Sequence, residues 1–473
     1  MTTSLLTLEA LKKHLTPELR ASLQQVQNVE ELTEVLSGFQ LINPRSAGID
    51  IGSLEHFVAV SAHLCAENVR SFGSFTRDLE TLADWLKSLG ISSVVMESTG
   101  HYWQSLFEVL ESRGLEVCLV NARHAKNVTE RKSDVSDCQW LLQLHTYGLL
   151  GASFIPEEGI RTLRTYIRHR GAVEKHKAAS LQAIHKSLTA MNLKFQHLVS
   201  DIEGVASQKI IRAMIEGERD PKVLAQYRHA RMKANVEDLE ASLEGHYRDE
   251  HIFTLEQALK TYDFYKAQMR DCDQVIEQQL LQLTPADGRP QATKPKKQKA
   301  RKNQYGFALK HHLKSILGTD LTLVEGLAEN TILEVLAQTG SDLTQWKTAN
   351  HFASWLKLSP NPKISGGKIL GYKKIKTDNR AAQAFRLAAQ SLHASQSYLG
   401  HYYRRISHRR GKKIAVIAVA RKLAVIFYTL VVNKVEYIPR DFGIYEQQHK
   451  QKMKRNLEKK AEKLGLKLVP IEG

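Results

Sequence analysis

The chain has 473 residues and a formal net charge of +17, with 67 lysines and arginines against 50 acidic residues. At roughly 100–200 residues per domain this length holds two to four domains. No uninterrupted apolar run reaches the roughly 20 residues that span a bilayer, because Arg421 and Lys422 break the longest one, IAVIAVARKLAVIFYTLVV.

The start, MTTSLLTLEALKKHL, has neither the cationic lead nor the cleavage site of a secretory signal. The cysteines Cys65, Cys118, Cys138 and Cys272 form no CxxC pair, which argues against zinc and for a reducing compartment. The expectation is a cytoplasmic protein with no membrane partner. So basic a balance points to a polyanion, most often nucleic acid.

Residues 1–44 read as a polar helical extension that stops at Asn43-Pro44. SAGIDIGSLEHFVAVSA alternates and is rich in β-branched residues, so it predicts two strands around a turn at Gly52-Ser53. A third short strand is expected near Val69–Phe75. LETLADWLKSLG predicts a helix closed by glycine. ISSVVMEST reads as a buried strand, GHYWQSLFEVLESRG as a second helix and LEVCLVN as another strand. The stretch after it, RKSDVSDCQWL onward, reads as helical to about Leu150. Antiparallel strands followed by βαβ units predict a mixed α/β domain over 45–160.

Residues 161–283 predict long helices. Val173, Leu181, Ile184, Leu188, Met191 and Phe195 recur at three-four spacing. So do Leu255, Leu259, Tyr262, Lys266, Met269, Cys272, Ile276, Leu280 and Leu283, a coiled-coil seam. An intermolecular zipper and an intramolecular hairpin both satisfy it. Residues 284–306 read as a flexible basic linker whose run KPKKQKARK includes Lys296 and Lys297. Residues 307–435 predict a mostly helical domain, in which VEGLAENT resembles a helix-hairpin-helix turn that brings backbone amides to a phosphate. Residues 436–473 form a charged tail.

Four carboxylates stand out. Asp50 lies mid-strand in AGIDIGS, where burial is unfavourable unless it is paired or meets a cation. Glu97 ends the strand VVMESTG, where open α/β sheets place their sites. Asp134 and Asp137 share one face of a helix at i, i+3. Singly, each has a plain structural explanation: a cap, a first-turn acid or an edge charge. Together they suit a two-metal centre of hard oxygen ligands, with Mg2+ or Mn2+. That arrangement belongs to a ribonuclease H-like, RuvC-type fold.

AGIDIGS, VVMESTGHYW, RKSDVSDCQWL with HTYGLLGASFIP, and HFASWLKLSPNPKISGGK stand in the same order as the motifs of the insertion sequence 110 (DEDD) transposases. The chain resembles that family over roughly residues 46–430. The resemblance implies a RuvC-like domain carrying Asp50, Glu97, Asp134 and Asp137, and a C-terminal transposase domain whose serine nucleophile is Ser365. It also implies double-stranded donor and target DNA, and a structured non-coding bridge RNA that chooses both sites by base pairing. A homodimer that assembles to a homotetramer is implied as well, at the bacterial nucleoid when active. Sequence choice made by RNA leaves the protein to grip backbones. The candidate contacts are Arg131, Lys132, Lys296, Lys297, Lys368, Lys373, Lys374, Arg409 and Arg410, with Lys376, Arg404, Arg405, Lys412 and Lys413. Two rivals stay open: a RuvC-type nuclease or junction resolvase that uses water, and a non-catalytic architectural protein.

Overall fold

A computed structural model of the chain describes residues 40–98, 100–121, 134–230, 232, 234–285, 304–372, 379–439 and scattered positions between 451 and 466. The expected N-terminal extension thus lies almost wholly outside the described residues, as do most of the basic linker and of the charged tail. Two compact units divide at Ile155 and Pro156.

The first unit is built on five strands: β1 (Ser46–Ile51), β2 (Glu55–Val60), β3 (Val69–Gly73), β4 (Ser93–Glu97) and β5 (Glu116–Val120). Their order is β3-β2-β1-β4-β5. The first three run as an antiparallel meander, whereas β4 and β5 continue the sheet parallel to β1. Helices α1 (Thr76–Ser88) and α2 (Trp103–Ser112) supply the crossovers. Strand alternation sorts the side chains. Ala47, Ile49, Val58, Val60, Val94 and Met96 face one way and pack on Leu79, Leu82, Leu86, Leu106 and Leu110 of these two helices. Ala59, Val95 and Val120 face the other way, toward α3 (Asp134–Thr146), where they meet Leu141, Leu142 and Cys138. A mixed five-stranded sheet covered by helices is compatible with a ribonuclease H-like fold.

The second unit begins with two long helices, α4 (Glu158–Ala190) and α8 (Asp249–Leu283), which pack against each other. Between them lie three shorter helices, α5 (Val205–Ile215), α6 (Pro221–Ala225) and α7 (Val236–Leu243). Leu181, Ile184, Leu188 and Met191 are buried in one cluster with Leu255, Leu259 and Tyr262. The three-four seam is therefore filled within the chain. Lys266 departs from the expected pattern: it is exposed, and its neighbour Tyr265 turns inward to stack on His176 with ring centroids 5.3 Å apart.

The hairpin also encloses charge. Arg170 Nε donates to Asp273 Oδ1 at 2.6 Å, with both side chains nearly buried. The Arg170 guanidinium lies 3.9 Å from the centre of the Tyr305 ring, and the Gly306 amide donates to Asp273 Oδ2 at 2.9 Å. Gln304 to Gly306, which composition alone assigns to the flexible linker, are pinned to the hairpin by this network.

The remainder consists of α9 (Leu309–Leu317), α10 (Glu329–Thr339), α11 (Ala349–Trp355), the ribbon β6 (Pro362–Ser365) and β7 (Lys368–Tyr372), then α12 (Arg380–Ser391), α13 (Tyr398–Arg410) and α14 (Lys412–Asn433). Side chains of Thr348, Asn379 and Ser397 cap α11, α12 and α13, each satisfying a first-turn amide. Phe352 and Phe427 stack at the centre, and Phe385 meets both rings edge to face. Among the described residues α14 is the one helix long and apolar enough to cross a bilayer, and half of its apolar window is buried inside this unit. The turn between α9 and α10 holds the glycine of VEGLAENT. At Gly326, with φ 91°, a Cβ would meet Leu392 at 3.0 Å and the Ala388 carbonyl at 3.1 Å. That close approach is to the domain's own core.

Candidate active site

Three pairs of contacts set the register of α3 on the sheet. Ser46 Oγ and Thr146 Oγ1 are 3.0 Å apart. Ser93 Oγ and His145 Nε2 are 2.6 Å apart. Gly48 lies against the helix backbone itself: a Cβ there would stand 2.3 Å from the Cys138 carbonyl oxygen and 2.5 Å from the Leu142 nitrogen. The helix runs antiparallel to β1 and β4, and its approach depends on glycine.

This register decides where the acids fall. Side chains alternate along a strand, so Asp50 shares a face with Ser46 and Gly48, and Glu97 shares it with Ser93 and Val95. Ile49 pairs with Met96 across β1 and β4, which makes Asp50 and Glu97 the next neighbours at the same sheet end. From Ser46 to Asp50 the strand climbs about 13 Å. From Thr146 back to Asp137 the helix covers about 13.5 Å. Asp137 therefore sits level with Asp50, one turn inside the helix that Asp134 opens.

The thiol of Cys138 registers the same neighbourhood. Burial first, and then the charges of Asp50 and Asp137, push it up to about 12. Asp50, Glu97 and Asp137 are half-buried. The side chain of Asp134 and the chain from 122 to 133, with Arg131 and Lys132, lie outside the described residues. Among the described residues no three Asp, Glu, His or Cys side chains are close enough together to hold a metal.

Ser365 belongs to the second unit. It ends β6 and pairs with Lys368, the first residue of β7. Between them Gly366 and Gly367 have φ of 53° and 75°. Two consecutive positive φ values mark the tight hairpin turn that glycine favours. Ser365 and Lys368 are both exposed, and a Cβ at either glycine would meet nothing within 4 Å. The hydroxyl is held at the tip of a ribbon, open to a large substrate.

The cations of this unit are concentrated. Between Leu343 and Val435 stand 18 lysines and arginines against a single acid, Asp378. Arg409 and Arg410 are exposed in the last turn of α13, where the helix dipole favours positive charge. Gly411, at φ 86°, turns the chain directly into α14, whose first turn carries Lys412 and Lys413. Positive charge is unfavourable at a helix start until an anion arrives. Two of the expected contacts have work inside the fold. Arg404 donates to the carbonyls of His393 and Ser395 at 3.1 and 2.6 Å, and Arg405 lies over the Tyr402 ring. Lys296, Lys297, Lys373, Lys374 and Lys376 lie outside the described residues.

Sequence reasoning missed the residues that seat α3: Ser46, Gly48, Ser93, His145 and Thr146. Only Gly48 left a trace, as the small residue two positions before Asp50.

Residues 47–193 match the DEDD transposase model of the IS110 type, described as a transposase. Residues 319–404 match the model described as Transposase IS116/IS110/IS902 family. No curated protein matches the chain. The first match encloses all four carboxylates and the second encloses Ser365; a chain carrying both regions in this order is a DNA transposase/recombinase, similar in these two regions to IS110-type transposases.

Proposed function

We propose that this transposase cuts and rejoins DNA through a covalent phosphoserine at Ser365. The observation that carries the reading is the placement of Ser365: an exposed hydroxyl between a strand and two positive-φ glycines, paired with Lys368. In cleavage the Ser365 Oγ–P bond forms as a deoxyribose O–P bond breaks, and the displaced sugar oxygen takes up a proton. In rejoining, a strand hydroxyl attacks the phosphoserine and Ser365 regains its proton. Phosphodiester energy is conserved in that link, and no Walker-type GxxxxGK[ST] run is present to bind ATP.

Asp50, Glu97, Asp134 and Asp137 would hold Mg2+ or Mn2+ in a RuvC-type centre. Their donors are carboxylate oxygens alone, which fits a hard cation. Such an ion supplies charge to the phosphate and lowers the pKa of a bound hydroxyl. The protein's own part is to keep two half-buried acids, Asp50 and Glu97, at one sheet end and to set Asp137 of α3 level with them. A structured guide RNA chooses donor and target, and the cationic second unit grips backbones without reading bases. Subunits act as a dimer that pairs into a tetramer on DNA.

The test is denaturing electrophoresis of the protein with labelled DNA from its own element and the adjoining transcript. A protein–DNA adduct is expected, and it should vanish in Ser365→Ala. Free hydrolysed ends made equally well by Ser365→Ala would replace the serine with water and favour a RuvC-type nuclease.

A further inference from the structure

The ribbon that presents Ser365 is unusually apolar for a surface element. Ile364, Ile369 and Leu370 are 62%, 58% and 72% exposed. Among the described residues the ribbon pairs only with itself. An isolated two-stranded ribbon is marginally stable in water, and grouped exposed aliphatics mark a surface that meets a partner.

The register organises these side chains. Ile364 and Ile369 are direct cross-strand partners, so they share a face, and Ser365 and Lys368 form the next pair, on the opposite face. A bulge between Lys363 and Ile364 twists the ribbon at this point. One face thus carries an apolar pair and the other a hydroxyl beside an ammonium.

The charge of the sequence on either side of the ribbon selects the partner. The stretch Leu343 to Val435 carries 17 more positive than negative side chains, as large as the net charge of the whole chain. Such a field repels a second copy of itself and attracts a polyanion. Apolar side chains set among cations have a known use on duplex DNA: they wedge between base pairs, unstack a step and kink the helix.

We infer that Ile364 and Ile369 form a wedge that inserts at a DNA base step while Ser365 and Lys368, on the reverse face, meet the adjoining phosphate. This rests on the reading of Ser365 as the attacking group. The wedge opens the step whose backbone is to be cut, and it holds the ribbon tip in register with that phosphate. Ile364 and Ile369 are positioning residues; they touch bases, not the reacting atoms.

A wedge gains affinity wherever unstacking is already easy. The full-length Ser365→Ala protein, unable to form the adduct, is titrated at low salt with a mixed-sequence duplex, either fully paired or carrying one central mismatch. The mismatched duplex is expected to bind about tenfold more tightly. Adding Ile364→Ser and Ile369→Ser should bring the ratio near one, with the slope of log affinity against log salt unchanged. Adding Lys363→Ala instead should lower that slope by about one and leave the ratio intact. A ratio near one in the parent, or one that survives loss of both isoleucines, overturns the wedge. So does a change of oligomeric state by light scattering with the ratio preserved, which makes the ribbon a contact between copies. Loss of the adduct is scored separately in the Ser365 background, so failure of the wedge and failure of the nucleophile give different results.

Discussion

Ser93 Oγ lies 2.6 Å from His145 Nε2 and joins β4 to the last turn of α3 inside the first unit. His145 is buried, and burial holds its imidazole down at about 4. The pair works with a neutral ring. Because Ser93 and Glu97 lie on one strand face, the bond that seats the helix also fixes the level of its acidic end.

A depressed histidine makes stability depend on pH with a definite sign. The unfolded chain takes a proton near the ordinary value of 6.5, whereas the native ring refuses it until about 4. Stability is therefore fully present above about pH 6.5 and falls as pH drops toward 4. Between about pH 7.5 and pH 5 the loss from this one group is on the order of 2 kcal/mol. Burial lowers His56 in the same direction. Denaturant unfolding at the two pH values should show the loss, and His145→Gln should reduce it. An equal pH response in that variant would assign the effect elsewhere.

Gly48 makes a sharper prediction. A Cβ there would collide with backbone atoms of Cys138 and Leu142, which cannot swing aside as a side-chain tip can. Gly48→Ala should lift α3 and destabilise the unit by about 1–3 kcal/mol, and Gly48→Val by more. Because the lift separates Asp137 from Asp50, strand cleavage should fall further than the folded fraction does. Activity that tracks the folded fraction alone would show that the spacing of α3 is not critical.

The sheet and the long helices were legible because their periods are local. AGIDI alternates, VVM is a short continuous apolar run that suits a buried strand, and the α4 and α8 seams repeat at threes and fours. The misfit at Lys266 arose because an amphipathic lysine can sit beside a seam that Tyr265 fills. The register of α3 was illegible because it depends on pairs about 50 to 100 residues apart, Ser93 with His145 and Ser46 with Thr146. The turn at Gly366-Gly367 was legible, since two successive glycines between extended residues favour positive φ, whereas Ser365 itself was singled out only by the family resemblance. The glycine of VEGLAENT shows the limit of such local signals: the same geometry serves close approach to a phosphate or to Ala388 and Leu392.

Arg170 and Asp273 were equally hidden, since a charge within a long helix ordinarily faces water. Their pair is nearly buried, and it anchors Tyr305 and Gly306. Removing Asp273 leaves the nearly buried Arg170 only its longer contact to Glu174 at 3.7 Å, and breaking such a pair costs up to about 3–5 kcal/mol. Asp273→Ala should therefore lower the denaturant midpoint strongly and release residues 304–306 to limited proteolysis. Arg170→Met combined with Asp273→Leu should recover much of the stability while leaving 304–306 cleavable, because the amide of Gly306 still lacks its acceptor. A double variant no more stable than Asp273→Ala would argue against the stranded-charge account.

Arg409 and Arg410 stand where the negative end of α13 meets the positive start of α14, both exposed and beyond the residues of the second family match. Neither supports the core, so Arg409→Ala with Arg410→Ala should leave thermal unfolding within about 0.5 kcal/mol. If both contact phosphates, the slope of log affinity against log salt for duplex DNA should flatten by about 1.8. The loss should be similar for unrelated sequences, because a phosphate contact carries no sequence information. A sequence-selective loss would move these arginines to base edges. An unchanged slope would leave them as solvated surface charge, with the grip carried by other cations of the stretch from Leu343 to Val435.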